Sequence, residues 1–350
     1  VLVGGLVQVL IQFPFLRKAS LQLHPRPPFL THETRQILLL MLPAIVGAAA
    51  YQISVLVNTI LASLLERGAV SWLFFADRVS QLPIGIFTVS LGSVLLPALS
   101  RSAARADDAS FGRDTVNSLR FTSFIMLPLA GYLFVFSEPI VITLFQRGNF
   151  SETDARMTAL ALQAISIGIW GVACNYLCMR CFLAHKNTLM PMILGCLNVS
   201  LTLLLALFMM GPIDAPASSI ALALKALQDS IYSLHAGMNL GHVGLALSSG
   251  ISSTIMFPIA VAALRARRLF DYSLQPFLVT SGKTVVATGI VMTCAFQLGH
   301  FFNNLLLSLV FNSFVSLTIF LLTAKILKLN ELEETIAMVL RKYKGGQTSH

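Results

Sequence analysis

The stretch Ser71–Pro83, SWLFFADRVSQLP, places an acid, a base and an amide inside an otherwise apolar segment. Asp77 and Arg78 are adjacent, and Gln81 follows three residues after the arginine. A charge at bilayer depth costs about 2.5–3.5 kcal/mol on insertion scales, and such side chains usually face a bundle interior or a watery cavity. The spacing therefore indicates a polar, cavity-facing surface. The structural alternative is that Asp77 and Arg78 neutralise each other near the membrane interface.

A second polar stripe precedes this stretch in the chain. Tyr51, Ser54 and Asn58 follow one another at i, i+3 and i+7, so they share one face of a helix. Amide and hydroxyl side chains on such a face either join neighbouring helices through hydrogen bonds or line the same cavity as Arg78. Both interpretations stay open at this stage.

Only two other basic residues lie within apolar segments, Arg180 and Lys283. Each lies near a segment end that we place on the cytoplasmic side, so extension of the long side chain to the interface explains both. Arg78 is harder to explain in this way because a polar side chain and then the helix-breaking Pro83 follow it.

The composition identifies the class of protein that must position these groups. The chain has 350 residues, of which 56% are hydrophobic and only 11% are charged, whereas soluble domains carry about 25% charged residues. Long apolar runs predict an integral membrane protein built of helices rather than a barrel. The net charge of +9 lies in the loops that flank these runs, so it indicates membrane topology and not nucleic-acid binding.

Nine apolar segments are long enough to be spans, although the first is short. They are Val1–Leu16, Ile37–Leu65, Trp72–Leu99, Phe121–Phe145, Met157–Ala184, Thr188–Met210, Val243–Leu264, Pro276–Leu298 and Asn303–Leu327. The predicted fold class is an all-α polytopic membrane helix bundle. Residues 215–235 have a helical pattern that contains Lys225 and Asp229, which predicts an amphipathic or re-entrant insertion.

The distribution of basic residues predicts the orientation of the bundle. Alternate loops, together with the C-terminal segment, hold seventeen Lys and Arg residues, and the intervening loops hold four. Because cytoplasmic loops are enriched in these residues, the C-terminus is predicted to be cytoplasmic and Val1 to lie on the outer side. The C-terminal segment 330–344 is predicted to be an amphipathic helix on the cytoplasmic surface.

Motifs for covalent chemistry are absent from the sequence. It has no Walker loop and no GxGxxG, HExxH or GxSxG pattern, and its few carboxylates lie mostly in loops. Cys174, Cys178 and Cys181 share a helix face without a His or carboxylate at ligand spacing, so they are predicted to be packing residues rather than a metal site. We therefore predict no catalytic residue, no metal and no cofactor, and an enzyme is the least favoured class.

Four strings together resemble the MurJ (MviN) family of lipid II flippases. They are LPAIVGAAAYQISVLVNTILASLLERGAVS, SWLFFADRVSQLPIGIFTVSLGSVLLPALSR, LFQRGNFSETDA and RCFLAHKNTLMP. The last departs from the family pattern, with Leu183 in place of Tyr and Asn187 in place of Asp. The resemblance is strongest over Pro43–Pro191.

This resemblance implies a fold of about fourteen helices in two lobes, shared with the multidrug and polysaccharide exporters of the MOP superfamily. The nine segments then correspond to the sixth to fourteenth helices, and about five further helices are expected before Val1. The implied divisions are residues 1–36 (last helix of the first lobe and a linker), 37–211 (second lobe), 212–242 (insertion), 243–328 (final three helices) and 329–350 (cytoplasmic tail). Within 243–328, Pro276–Leu327 is the implied groove for a lipid tail.

The resemblance also implies a ligand. The family moves lipid II, a lipid-linked pyrophosphate, from the inner to the outer leaflet, and Arg78 matches the arginine of the family's ADR stretch. The implied substrate-binding side chains are Arg78, Asp77, Gln81, Ser71, Asn58, Tyr51 and Arg180. Family members often carry Glu where this chain has Gln81, which puts a proton-coupled role at that position in doubt.

The expected function is therefore flipping of lipid II by alternating access in the bacterial inner membrane. Lipid II and the membrane are the expected partners, with cell-wall synthesis proteins as further candidates and no nucleic acid. Two alternatives stay open: a related polysaccharide-lipid exporter, and a truncated membrane scaffold that transports nothing.

Overall fold

The computed structural model describes residues 5–8, 10–12, 14, 32–213, 219–232, 237–270, 272–298 and 305–333. The chain divides into two compact units, Val1–Leu42 and Pro43–His350. In the first unit, the described residues are helical. The second unit holds every site discussed below. Its described residues form helices, joined by turns and one isolated antiparallel bridge between Met210 and Asn239.

The helices are numbered in chain order. They are α1 (His32–Ser63), α2 (Ala69–Pro83), a π-helical segment (Ile84–Val89), α3 (Ser90–Ala104), α4 (Asp108–Val135), α5 (Ser137–Phe145), α6 (Glu152–Ala184), α7 (Leu189–Met209), α8 (Ser219–Tyr232), α9 (Gly241–Ala266), α10 (Gln275–Leu298) and α11 (Leu305–Ile326).

Seven helical stretches among the described residues are long and apolar enough to cross a membrane. They are Ala69–Ala104, Asp108–Val135, Glu152–Ala184, Leu189–Met209, Gly241–Ala266, Gln275–Gln297 and Leu306–Ile326. The prediction of an all-α membrane helix bundle is confirmed. The count of nine is not, because α1 contributes the shorter apolar helix Gln52–Ser63 and half of the predicted span Val1–Leu16 lies outside the described residues.

The fourth predicted span, Phe121–Phe145, has the wrong bounds. The helix α4 begins thirteen residues earlier, at Asp108, and ends at Val135, and α5 is a separate short helix. Pro139 explains the break, because a proline ring clashes with the carbonyl group four residues before it, here that of Val135. At the other end, Phe111 is only 2% exposed, so the first turns of α4 belong to the core.

The third predicted span is one continuous helical stretch with an irregular centre. Pro83 ends α2, and the next six residues, Ile84–Val89, are π-helical before α3 begins. A proline removes one backbone hydrogen bond, and π-helical insertions accommodate such gaps, often at functional sites. The irregular turn directly follows the polar stretch that contains Arg78.

The helix α6 lies at the centre of the second unit, where it packs against α9, α4, α2, α5 and α3. Its contact with α9 is close because both backbones carry glycine at the crossing: a Cβ atom built on Gly168 would lie 2.1 Å from the Cα atom of Gly250. Cys174, Cys178 and Cys181 are fully buried on α6 and not bonded to one another. They contribute to the core around Phe182.

The predicted insertion at residues 215–235 contains a helix, α8, which packs on α7. Gln228 fixes it, because its buried amide donates to the carbonyl oxygen atoms of Leu207 and Gly211 at 2.9 and 2.8 Å. The same side chain accepts from the backbone N–H of Ile213 at 2.8 Å. The position of α8 relative to a membrane stays a prediction.

Candidate functional site

A cavity of about 950 Å³ lies among α1, α2, α6, α7 and α9, with the π-helical segment at its edge. Most of its lining residues are apolar, but polar side chains contribute from every one of the five helices, including Asn58, Asp77, Asn175, Asn198 and Ser253. Among the described lining residues, Asp77 is the only one with a charged side chain. The described part of the wall thus offers amides, hydroxyl groups and one carboxyl group.

Asp77, Arg78 and Gln81, here called the cavity cluster, form a short chain of hydrogen bonds. The Gln81 side-chain amide donates to Oδ2 of Asp77, and Nη1 of Arg78 donates to Oε1 of Gln81 at 3.2 Å. No carboxylate of the described residues lies within 4.0 Å of the Arg78 guanidinium. The Gln81 amide thus lies between the acid and the base in this chain of hydrogen bonds.

The guanidinium of Arg78 also lies over an aromatic ring. Its Cζ atom is 4.7 Å from the ring centroid of Phe74, one turn earlier on α2. Phe74, Asp77 and Gln81 line the cavity, and Arg78 lies beside them as an exposed residue. One cation–π contact and one hydrogen bond to a neutral amide therefore hold the guanidinium at the margin of the cavity, without a paired carboxylate among the described residues.

The other predicted site residues occupy different positions. Asn58 lines the cavity, and its buried Oδ1 atom has no hydrogen-bond partner among the described residues. Ser71 is exposed and is not part of the cavity wall. Tyr51 lies in α1, and its side chain is outside the described part of the structure.

Arg180 lies at the margin of the cavity near the end of α6. Its Cζ atom is 4.5 Å from the ring centroid of Tyr176, and Nη2 donates to the Tyr176 hydroxyl group. Tyr176 lines the cavity and packs on Gly92 of α3, where an added Cβ atom would lie 2.5 Å from the ring. No described contact joins Arg180 to the cavity cluster.

Sequence reasoning missed two features of this cavity. The first is the pair Asn175–Tyr176 on α6, two polar residues in an apolar run. The sequence signal for this pair was its position about one turn before Arg180. The second is the ring of Phe74, four residues before Arg78. Both aromatic rings lie against an arginine side chain that is not itself in the wall.

A second arginine–carboxylate cluster, here called the latch cluster, was missed altogether. Nη2 of Arg120 lies 2.7 Å from Oε1 of Glu331, whose side chain is 3% exposed. Thr280 donates to the same oxygen at 2.8 Å and accepts from Nε of Arg120 at 3.2 Å. The cluster joins α4, α10 and the segment after α11, and it contains no cavity-lining residue.

A metal site has no support among the described residues, which contain no group of three or more His, Cys, Asp or Glu side chains able to hold an ion. The arrangement at the cavity is suited to non-covalent binding. It offers a marginal guanidinium, amides, hydroxyl groups and apolar walls.

The comparisons with known proteins agree on one family. The family model "Lipid II flippase MurJ" matches residues 1–315. A "Probable lipid II flippase MurJ" of Buchnera aphidicola subsp. Acyrthosiphon pisum is 30% identical over 90% of this chain and 58% of that protein. A "Lipid II flippase MurJ" of Burkholderia cenocepacia is 29% identical over 84% of this chain and 53% of that protein. The chain thus spans about half the length of the curated relatives it matches.

Solved structures show the same fold. A structure titled "Lipid II flippase MurJ, inward closed conformation" superposes with a TM-score of 0.63 and 21% identity, over 86% of this chain and 56% of that one. The Vibrio cholerae MATE transporter VcmN in its bent form gives a TM-score of 0.53 and 16% identity, over 85% of this chain and 68% of that one.

Proposed function

This chain belongs to the MurJ family, and from that premise we propose that it moves lipid II across the bacterial inner membrane. The substrate is the lipid-linked pyrophosphate precursor of peptidoglycan, carried from the cytoplasmic to the outer leaflet by alternating access. No bond of the substrate is made or broken, so the protein is a transporter and not an enzyme. The family membership and the multi-pass helical fold support this proposal.

The observation that carries the proposal is the state of Arg78. Its guanidinium lies at the margin of a large cavity, beside a ring and an amide, without a carboxylate within 4.0 Å among the described residues. A guanidinium forms charge-assisted, often bidentate hydrogen bonds with phosphate oxygen atoms. An anion can therefore replace the hydrogen bond that Arg78 donates to the neutral amide of Gln81, and no ion pair with a described carboxylate has to be separated first.

The neutral amide of Gln81 favours this role. A carboxylate at that position would pair with Arg78 and compete with an anionic ligand, whereas an amide accepts one hydrogen bond and adds no negative charge. Asp77 stays engaged with the amide of Gln81. Asp77 and Gln81 are thus positioning residues, and Arg78 is the residue proposed to contact the pyrophosphate.

Asn58 and the Tyr51–Ser54 face of α1 are proposed as a polar wall for the uncharged part of the head group. The buried oxygen atom of Asn58 has no partner in the described part of the chain, and Ser54 lines the same cavity. Ser71 and Arg180 lie outside this wall, so a role for either requires a different conformation of the transporter.

The last two helices are proposed as the surface for the lipid tail. These helices expose many large apolar side chains, among them Val286, Phe296, Phe314 and Ile326. An undecaprenyl chain is apolar and excluded from water, so such a face suits it. We also propose that the C-terminus is cytoplasmic, as the distribution of basic residues in the loops predicts.

The test is functional replacement in a bacterium depleted of its own lipid II flippase. We expect expression of the protein to maintain growth and to prevent accumulation of lipid II. Lysis with lipid II accumulation, although the protein is present in the membrane at normal levels, would overturn the proposal. If the same cells export another polysaccharide lipid instead, the protein is a related polysaccharide-lipid exporter. If they transport neither lipid, the protein is a membrane scaffold that transports nothing.

A further inference from the structure

The helix α8 lies where one membrane-spanning helix ends and the next begins. Both α7 and α9 are long and apolar enough to cross a membrane. Backbone hydrogen bonds join the end of α7 to the residues just before α9: the N–H group of Met238 donates to the carbonyl oxygen atom of Phe208 at 2.9 Å, and that of Leu240 to the one of Met209 at 3.0 Å. Because both helices reach the same level here, this level marks one surface of the bilayer.

Gln228 attaches α8 to this end of α7. The backbone groups that its side chain binds, at Leu207, Gly211 and Ile213, lie in the last turn of α7 or just after it. The helix α8 has 14 residues, which gives a length of about 21 Å, whereas the hydrocarbon core of a bilayer is about 30 Å thick. The helix is therefore too short to cross the membrane, and Gln228 holds it at the level of the surface.

One side of α8 carries an apolar strip. Ile220, Leu224, Leu227 and Ile231 follow one another at i, i+4, i+7 and i+11, which places them on one face of the helix. Leu224 and Ile231 are half-buried and pack against the core that contains Leu207. Ile220 and Leu227 are 58% and 39% exposed, so the strip extends beyond the core of the protein.

The other side of α8 carries both of its charged residues. Lys225 and Asp229 are four residues apart and share one face, which lies roughly 150° around the helix from the apolar strip. Asp229 is exposed. Leu222 is exposed on the same side, so this side is mixed in character, whereas the strip contains no polar side chain. The helix is thus amphipathic across its width.

The surroundings of the apolar strip favour lipid as its partner. Leu204, in the last two turns of α7, is exposed, and so are Met238 and Leu240 before α9. Such side chains on or beside a membrane-spanning helix contact acyl chains, so the strip lies at the level where a lipid-facing surface already exists. A second protein is less suited, because Ile220 and Leu227 cannot supply the total of about 1,000 Å² that a stable protein interface buries.

We propose that α8 is an interfacial helix, with Ile220 and Leu227 among the acyl chains of the bilayer and with Lys225 and Asp229 towards water. Amphipathic helices bind membranes with the apolar face about 5–10 Å deep, at the boundary between head groups and acyl chains. In the orientation proposed above, this is the outer surface. The helix anchors the link between α7 and α9, both of which line the cavity.

Spin labels on single cysteines test the position of each side of α8. The background carries Cys196→Ser and Cys294→Ser, because the other three cysteines, Cys174, Cys178 and Cys181, are buried and shielded from the labelling reagent. The labelled protein is reconstituted in phosphatidylcholine vesicles. Collisions of the label with oxygen, which concentrates in lipid, are then compared with collisions with a water-soluble nickel complex.

We expect labels at Ile220→Cys and Leu227→Cys to collide more with oxygen than with the nickel complex. Asp229→Cys is the matched control on the other side of the helix and is expected to show the reverse preference. Leu204→Cys provides the lipid-facing reference on α7 and is expected to show the strongest preference for oxygen.

A preference for the nickel complex at both strip positions would overturn the proposal, because the strip would then face water. Few collisions with either reagent would also overturn it, since a protein partner or a second copy of the chain would then cover the strip. A preference for oxygen at Asp229→Cys as well would show a re-entrant helix inside the hydrocarbon core.

The changed positions on α8 are exposed, and two of them represent the strip, so either one decides if the other variant fails to fold. The measurement uses no lipid II. Its result is therefore independent of the proposed transport function.

Discussion

The cavity cluster and the latch cluster each contain one guanidinium and one carboxyl group, in different arrangements. In the latch cluster, Arg120 and Glu331 are in direct contact at 2.7 Å, and Glu331 is almost fully buried. In the cavity cluster, the amide of Gln81 separates Arg78 from Asp77, and the arginine is exposed. The guanidinium of Arg120 is thus paired with a carboxylate that joins helices, whereas that of Arg78 has no carboxylate within 4.0 Å among the described residues.

The largest expected effect comes from breaking the latch cluster. Glu331→Ala leaves the Arg120 guanidinium, which is 16% exposed, without its carboxylate; loss of one partner of a fully buried ion pair costs about 3–5 kcal/mol, so the loss at this partly exposed pair is expected to be about 2–3 kcal/mol. We expect a clear fall in the thermal unfolding temperature of the purified protein. Glu333→Ala, two residues further at an exposed position, is the control and is expected to leave that temperature unchanged. Equal stability of both variants would show that the latch cluster does not hold the helices together.

Arg78→Ala is expected to reduce transport and to leave the thermal unfolding temperature unchanged. A charge-assisted hydrogen bond to a ligand contributes about 1.5–3 kcal/mol, which corresponds to roughly a tenfold to hundredfold loss of activity. The measurement is lipid II translocation in proteoliposomes, with thermal unfolding as the second readout. Arg101→Ala removes an exposed arginine from the same helical stretch and is expected to have no effect on either. A variant Arg78→Ala that unfolds as easily as Glu331→Ala would abolish the distinction between the clusters.

Gln81→Leu tests whether the amide positions the arginine. The substitution removes one hydrogen bond from Arg78 and one from Asp77, and a typical net hydrogen bond contributes about 1 kcal/mol. We expect a loss of transport of about fivefold, smaller than that of Arg78→Ala. If Gln81→Leu is as inactive as Arg78→Ala, Gln81 itself contacts the substrate, and its assignment as a positioning residue is wrong.

Phe74→Leu is expected to have the smallest effect. Exposed cation–π contacts contribute about 0.5–1 kcal/mol, so the loss of transport is expected to be roughly twofold to fivefold. Phe74→Tyr keeps the ring face and serves as the control, with activity close to that of the unchanged protein. A loss of transport in Phe74→Tyr equal to that in Phe74→Leu would argue against the cation–π contact.

The sequence predicted the features that depend on local pattern. Apolar runs of sufficient length predicted the helices, and the charges within SWLFFADRVSQLP identified a stretch that the structure places beside a cavity. Pro139, four residues after Val135, was a sequence signal for the break between α4 and α5. The continuous apolar run nevertheless led to the prediction of a single span.

Contacts between distant parts of the chain could not be predicted from the sequence alone. The latch cluster joins residues 120 and 331, and nothing in a single sequence pairs those two positions. Arg120 lies just before the predicted span Phe121–Phe145, although it belongs to α4. The bridge through Gln81 depends on side-chain conformations that spacing alone does not determine: an acid and a base at adjacent helical positions point in different directions, so a third residue at i+3 or i+4 meets both.

The central claim is that Arg78 binds the pyrophosphate of the substrate. The most direct measurement is equilibrium binding of undecaprenyl pyrophosphate to the purified protein, with Arg78→Ala and Arg101→Ala compared at equal concentration and low salt. We expect Arg78→Ala to weaken binding by roughly tenfold to a hundredfold and Arg101→Ala to bind like the unchanged protein. Equal affinity in all three proteins would contradict it.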